Sequence, residues 1–209
     1  MAALIQKPLD NVLETTEEPI RTSIVNAAEA RFAEYGYTKT TLNEIAAEAG
    51  MSAANLYRFF ENKLDIAAAV ARRLLARREA ALHAALQGEQ AAALQLQAYI
   101  LTALRFDREL EAGAPHLAKM LEKLIEERKE LAVAQRKARQ ELLTRLVQSG
   151  IKNGEFAPGD AAQIAQTLRA ALILFETPTL HRQYPQAEIE RLAQQVVTVL
   201  LQGLWMEKA

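Results

Sequence analysis

Thr41 to Lys63 reads TLNEIAAEAGMSAANLYRFFENK, and the order of residue types in it decides how this part of the chain folds. Thr41-Leu42-Asn43-Glu44 has the spacing of a capping box, in which a hydroxyl and a carboxylate satisfy each other's backbone donors at a helix start. Leu42, Ile45, Ala46 and Ala49 then share one face of a helix of about two turns. Ala46 is small where a neighbouring helix must come close. Gly50 ends the helix and permits the sharp turn. Met51 plugs the junction, and Ser52 caps a second short helix. Two short helices joined by a tight turn containing Gly are expected, the arrangement of a helix-turn-helix.

Rotation decides what the second helix offers. At about 100° per residue, Leu56 and Phe60 fall on one side with Ala53 and Phe59 flanking them. Ala54 and Arg58 point the opposite way, with Asn55 and Tyr57 on the shoulders. The outward side therefore carries small residues, an amide, a phenol and a guanidinium. Arg58 suits bidentate contact with guanine, and Asn55 with adenine. Ala53 and Ala54 would let the helix start sit deep in a major groove, Tyr57 suits a phosphate or base edge, and Lys63 suits a phosphate at the next helix start. With Thr40, Thr41, Ser52 and Phe59 at the margins, these form the candidate DNA-contacting set.

Outward from this stretch the chain reads as all-α. Apolar residues recur at three and four, and Gly and Pro are scarce. Residues 1–18 are acidic and lack that period, so a flexible arm is expected there. A first helix is expected from Pro19 to Tyr35, with Ile20, Ile24, Ala28 and Phe32 on one face and Gly36 stopping it. Asn62 caps a fourth helix reaching about Gln87. A fifth spans about 89–111. The stretch from His116 to Asn153 lacks Gly and Pro until Gly150 and is one long helix or two abutting ones. Asp160 caps another to about Glu176, and a last one runs to about Lys208. The expectation is about nine helices: the arm, a helix-turn-helix DNA-binding domain over 19–65 and a larger helical domain over 66–209.

Composition bounds the function classes. The 209 residues contain no cysteine, which excludes thiol catalysis, disulfides and cysteine-held zinc. The N-terminus lacks the pattern of a secretory signal, and no apolar run approaches the roughly 18 residues that span a bilayer, so a cytoplasmic protein without membrane contact is expected. Formal net charge is −1, but residues 20–87 hold nine Lys/Arg against seven Asp/Glu. DNA contact would rest on a few placed cations and not on a broad basic field.

The stretch RTSIVNAAEARFAEYGYTKTTLNEIAAEAGMSAANLYRFFENKLDI, Arg21 to Ile66, closely resembles the N-terminal module of the TetR (tetracycline repressor-like) family. The matching features are Ala27-Ala28 and Phe32, Gly36-Tyr37, Thr40-Thr41, Ile45-Ala46, Gly50, Leu56-Tyr57, Phe60 and Lys63. The resemblance covers residue 20 to about 70. Beyond it only architecture agrees, about six further helices with a Gly154-Glu155-Phe156 loop before the last two. The resemblance implies a homodimeric repressor that occupies a palindromic operator and lets go when a small molecule enters the C-terminal domain. The acidic arm departs from relatives whose basic N-termini reach phosphates. By resemblance, the last two helices make the dimer interface through Ile164, Leu168, Ala171, Leu172 and Phe175 on one and Leu192, Val196, Val199, Leu200 and Gly203 on the other. The effector would be lined by Tyr99, Ala103, Phe106, Met120, Leu124 and Phe175, with Arg105 or His116 meeting its polar handle. A mostly apolar small molecule is expected.

Other features read as structural. His83, His116 and His181 are far apart, with no metal-ligand spacing, and read as partly exposed helix or loop residues. Arg72-Arg73 and Arg77-Arg78 read as a solvated face with snorkelling stems. Glu122–Arg139 reads as an exposed face laced with i,i+4 pairs. Neither a cofactor nor a metal is implied. The rival functions are a helical protein-interaction or scaffolding module and an enzyme, and nothing resembles a nucleophile–base pair or a phosphate loop.

Overall fold

A computed structural model of the chain describes residues 6–87 and 91–204, with side chains from residue 17 onward. Helix α1 (Gln6–Tyr35) starts well before Pro19 and runs through it. The part of the expected arm from Gln6 to Glu18 is therefore helical, while residues 1–5 lie outside the described residues. Once the segment beyond Pro19 has formed, each added residue costs only a propagation step, and Leu, Glu and Gln propagate well without an apolar stripe. Pro19 withholds one N–H from the ladder, at about 3 kcal/mol, and that makes it read as a boundary.

Gly36 closes α1 at φ 85, its N–H donating to the Phe32 carbonyl at 3.1 Å. Helices α2 (Leu42–Glu48) and α3 (Ala53–Leu56) follow, then α4 (Lys63–Gln87). Asn62 caps α4 as expected, its Oδ1 accepting the Asp65 N–H at 3.0 Å. Helix α5 (Ala92–Gly113) precedes α6 (Pro115–Glu127) and α7 (Lys129–Lys152). The joint between the last two is Arg128, which leaves the helical region at φ −106, ψ 86. Asp160 caps α8 (Ala161–Ala171) by accepting the N–H groups of Ala162 and Gln163 at 2.9 and 3.2 Å. Two four-residue helices, α9 (Ile173–Glu176) and α10 (Pro178–His181), lead to α11 (Gln186–Leu204).

The all-α expectation holds: eleven helices and no strand occur among the described residues. The excess over nine comes from a break at Leu172 and from α10, which occupies an expected connection. The ends expected for the fifth and last helices fall at residues 88–90 and 205–209, outside the described residues.

The chain forms two compact units. The first takes the chain up to Leu74 together with Gly113–Leu124, and the second takes Leu75–Ala112 and the chain from Ile125 on. The first unit thus takes in the start of α4 and most of α6, as far as Leu124. The first unit buries Ile24, Ala28 and Phe32 of α1 with Ile45, Ala46, Leu56, Phe60, Ile66 and Val70. In the second, Leu96, Tyr99, Ile100 and Ala103 of α5 pack with Leu142, Leu143, Leu146 and Val147 of α7, Leu168 and Leu172, and Ile189, Ala193 and Val197 of α11.

Candidate nucleic-acid interface

Local chemistry sets the α2–turn–α3 hairpin. Thr41 Oγ1 accepts the Glu44 N–H at 3.3 Å, and Glu44 Oε2 accepts the Thr41 N–H at 2.7 Å, which closes the capping box. Those bonds hold the Glu44 carboxyl below its ordinary value: the Thr41 backbone N–H contributes most, then the Thr41 hydroxyl. At the far end Met51 N–H reaches the Ala46 carbonyl at 2.9 Å and Gly50 N–H reaches Ala47 at 3.0 Å. That is a Schellman closure, and Gly50 supplies its left-handed residue at φ 71. Ser52 then caps α3, Oγ accepting the Asn55 N–H at 3.2 Å. Regular α3 is only one turn, but the chain keeps turning on tighter bonds, Arg58 N–H to Asn55 at 3.1 Å and Phe59 N–H to Leu56 at 3.0 Å.

The rotation expected of this segment is observed. Leu56 and Phe60 are buried, Ala53, Asn55 and Phe59 are half-buried, and Ser52, Ala54, Tyr57 and Arg58 are exposed. Tyr57 stands 54% exposed with no packing reason to be aromatic. Thr41 is exposed at the start of α2. These residues form one polar face on an apolar support, as a groove-reading element requires.

Two members of the expected contact set are placed differently. Thr40 is 1% exposed, and its hydroxyl donates to the Gly36 carbonyl at 2.9 Å, so it shapes the turn after α1 and offers no surface. Lys63 is half-buried, and its Nζ donates to the Tyr37 and Thr40 carbonyls at 2.8 Å each. It also lies 4.5 Å from the Tyr37 ring centroid, and burial pushes its ammonium pKa down. Two of its three hydrogens are therefore committed to the loop between α1 and α2.

The contacts that position the face have no local signature in the sequence. Arg21 of α1 donates to the Phe59 carbonyl at 2.6 Å and lies 4.4 Å over the Phe60 ring, tying the end of the reading segment to α1. Arg31 pairs with Glu44 at 2.8 Å. Arg73, expected in a solvated face, instead donates to the Val25 carbonyl at 3.0 Å and to Asn26 and Glu29. His116, expected at an effector, is exposed in the first unit, where Nδ1 meets the Ala33 carbonyl at 3.1 Å beside Gly36. Each contact spans 13 or more residues of chain, so no local period announces it.

The expected effector set divides. Tyr99, Ala103 and Phe175 are buried together in the core of the second unit, with Phe106 half-buried. Met120 and Leu124, like His116, belong to the first unit. Arg105 is exposed and pairs with Glu190 at 3.0 Å. The polar groups inside the second unit are others. Arg78 Nε and Nη2 grip both oxygens of Asp107 at 3.0 and 3.2 Å, Tyr99 donates to Glu176, and Arg139 Nη1 reaches Glu176 at 3.3 Å. His181 is fully buried, 3.7 Å from Asp107. These positions overturn the reading of Arg78 and Arg139 as solvated and of His181 as partly exposed.

The expected dimer set also divides. Leu168, Leu172 and Phe175 are buried within the single chain, whereas Ile164, Leu192, Val196 and Leu200 are half-buried against its core. Ala171, Val199 and Gly203 are exposed, as is Ile173. A helix face points outward only along part of its apolar stripe, and the stripe alone does not say which part.

Comparison with known proteins fits this geometry. Residues 24–70 match the model of bacterial regulatory proteins of the tetR family, and residues 92–197 match the tetracyclin repressor-like C-terminal domain. Comparison with curated sequences returns no match. Among solved structures, a transcriptional regulator from Cytophaga hutchinsonii is 24% identical, with 88% of this chain and 97% of that one covered and a TM-score of 0.70. SmeT, the repressor of the Stenotrophomonas maltophilia multidrug efflux pump SmeDEF, is 20% identical over 90% of this chain and 91% of its own, at a TM-score of 0.61. FadR of Bacillus halodurans, a fatty acid degradation regulator, is 22% identical over 88% and 95%, at 0.60. At these identities the structures show a shared fold, while the two family models cover both the helix-turn-helix and the helical remainder: the chain belongs to the tetR family of bacterial DNA-binding transcriptional regulators.

Proposed function

We propose that the chain is a repressor that occupies a palindromic operator as a homodimer and is released by a small molecule held in the second unit. The observation that carries the reading is the outward face of Ser52, Ala54, Tyr57 and Arg58 with the half-buried Asn55 beside it, set on a buried apolar support and tied at its end to α1 by Arg21. A lone half-site would bind weakly, and the exposed Ala171, Ile173, Val199 and Gly203 supply an apolar face for a two-fold partner. The work of such a chain is regulatory, without a reaction of its own, and its place is the cytoplasm. Among the described residues no helix is long and apolar enough to cross a membrane.

The test is selection of bound duplexes from a random pool, followed by binding measured across a salt series. A palindromic consensus is expected, with half-sites about one helical turn apart and affinity falling as salt rises. Recovery of no preferred sequence, or of one without dyad symmetry, would contradict the reading.

A further inference from the structure

Five helices of the second unit bring charged or polar side chains into its interior: Arg78 from α4, Tyr99 and Asp107 from α5, Arg139 from α7, Glu176 from α9 and His181 from α10. Arg78 is 2% exposed and Arg139 8%. The bonds within the group do not close. Both oxygens of Asp107 are taken by Arg78, and those of Glu176 by Tyr99 and Arg139. Arg78 Nη1, Arg139 Nε and both ring nitrogens of His181 are then left buried with no hydrogen-bond partner among the described residues. A guanidinium N–H can be satisfied only by an acceptor, and leaving one buried and unmet costs stability.

Among the described residues, the carboxylate oxygen left buried without a partner is Glu79 Oε2. Burial pushes the Glu79 carboxyl up, while the nearby Arg139 and Arg78 charges pull it down. Arg139 is also the less compensated cation, with one bond of 3.3 Å to Glu176 against the two-pronged grip of Arg78 on Asp107. Apolar neighbours of these groups on the same helices, Ala103, Leu142 and Phe175, belong to the unit's hydrophobic core.

We propose that this buried centre is the recognition end of the effector site and takes the carboxylate of an amphiphilic organic acid, with Arg139 as its principal partner and Arg78 as the second. The inference rests on the second unit being the effector-binding part, and it replaces Arg105 and His116 as the polar handle. An acid brings the acceptor oxygens that the guanidinium groups lack, while its apolar body lies against the core residues beside them. A primary amine would instead bring a third cation beside the two guanidinium groups.

The test is calorimetric titration of the full-length protein with acetate, benzoate, phenylacetate and octanoate, each beside its primary amide, with octylamine as the cation control. At least one of the apolar acids is expected to bind, more than tenfold tighter than its amide, with acetate weak and octylamine silent. Arg139→Met should abolish the preference for acid over amide, and Glu79→Gln should retain it. Thermal unfolding of both variants establishes that they fold, and Arg139→Lys, which keeps the charge, should restore part of the affinity if Arg139→Met does not. No acid binding, an amide matching its acid, or unchanged preference in Arg139→Met each overturns the proposal. Operator binding measured alongside separates it from the reading on which it rests. An acid that binds without loosening the operator contradicts the ligand switch alone. Operator release by a compound that is not an acid leaves the switch standing and contradicts the carboxylate assignment.

Discussion

An ammonium that already gives two hydrogens to backbone carbonyls has little left for a phosphate, and Lys63 is in that position. Lys63→Met should lower stability by about 2 kcal/mol, because two charge-assisted bonds to part-buried backbone carbonyls are lost, while the salt slope of the remaining DNA binding stays unchanged. A slope shallower by about one unit would show phosphate contact instead. Arg58→Ala should do the reverse. Its exposed side chain contributes little to folding, but operator affinity should fall by about 1–3 kcal/mol and base preference should relax at one position per half-site; a shift assay with single-base operator variants measures both. Glu44 gives a pH signature. Its carboxyl is depressed in the folded chain by the Thr41 N–H and hydroxyl, so it favours the folded state above the ordinary carboxyl range, and that contribution is lost as pH falls through the folded value. Thr41→Val should return Glu44 toward its ordinary value in an NMR titration, and the two proteins' stabilities should draw together below that range.

At the scale of the element, two glycines fail for different reasons. A Cβ on Gly50 meets nothing within 4 Å, so Gly50→Ala is disfavoured only by the left-handed backbone, by about 1 kcal/mol, and Gly50→Asn should cost less. A Cβ on Gly150 of α7 would fall 2.4 Å from the Phe156 ring and 2.9 Å from Ala92, so Gly150→Ala should cost about 1–3 kcal/mol by overpacking. Chemical denaturation of the three variants tests the ranking. The contrast also explains which elements were legible. The hairpin of α2 and α3 is written in neighbouring residues: Thr41 with Glu44, Gly50 after Ala49, Ser52 before Ala53. The joint at Arg128 has no such signature, since Glu-Glu-Arg-Lys-Glu is good helix throughout and the break falls just past the point where the chain leaves the first unit. The extension of α1 was hidden by Pro19, and Arg78 and Arg139 by their charge. The partners Asp107 and Glu176 stand 29 and 37 residues away, and no pattern within a helix predicts such a meeting.

For the whole molecule, the proposed dimer splits the apolar stripe of α8 and α11 between self and partner. Leu168 serves the chain's own core, and Val199 is 66% exposed. Val199→Arg should yield a folded chain with weakened self-association and much reduced operator binding, whereas Leu168→Arg should fail to fold. Light scattering with circular dichroism distinguishes the two. A Val199→Arg variant still dimeric at micromolar concentration would move the interface elsewhere. The first unit is also not one continuous piece of chain. It needs Gly113–Leu124, and with that segment the buried Leu117, Met120, Leu121 and Leu124 of α6. A fragment cut after Leu74 would therefore lack part of its own packing, and a hybrid regulator spliced there would inherit a reading head without its last helix. To transplant this head intact, an engineer would have to graft two stretches at once, and a recombination event that exchanged only the first would leave a defective chimera.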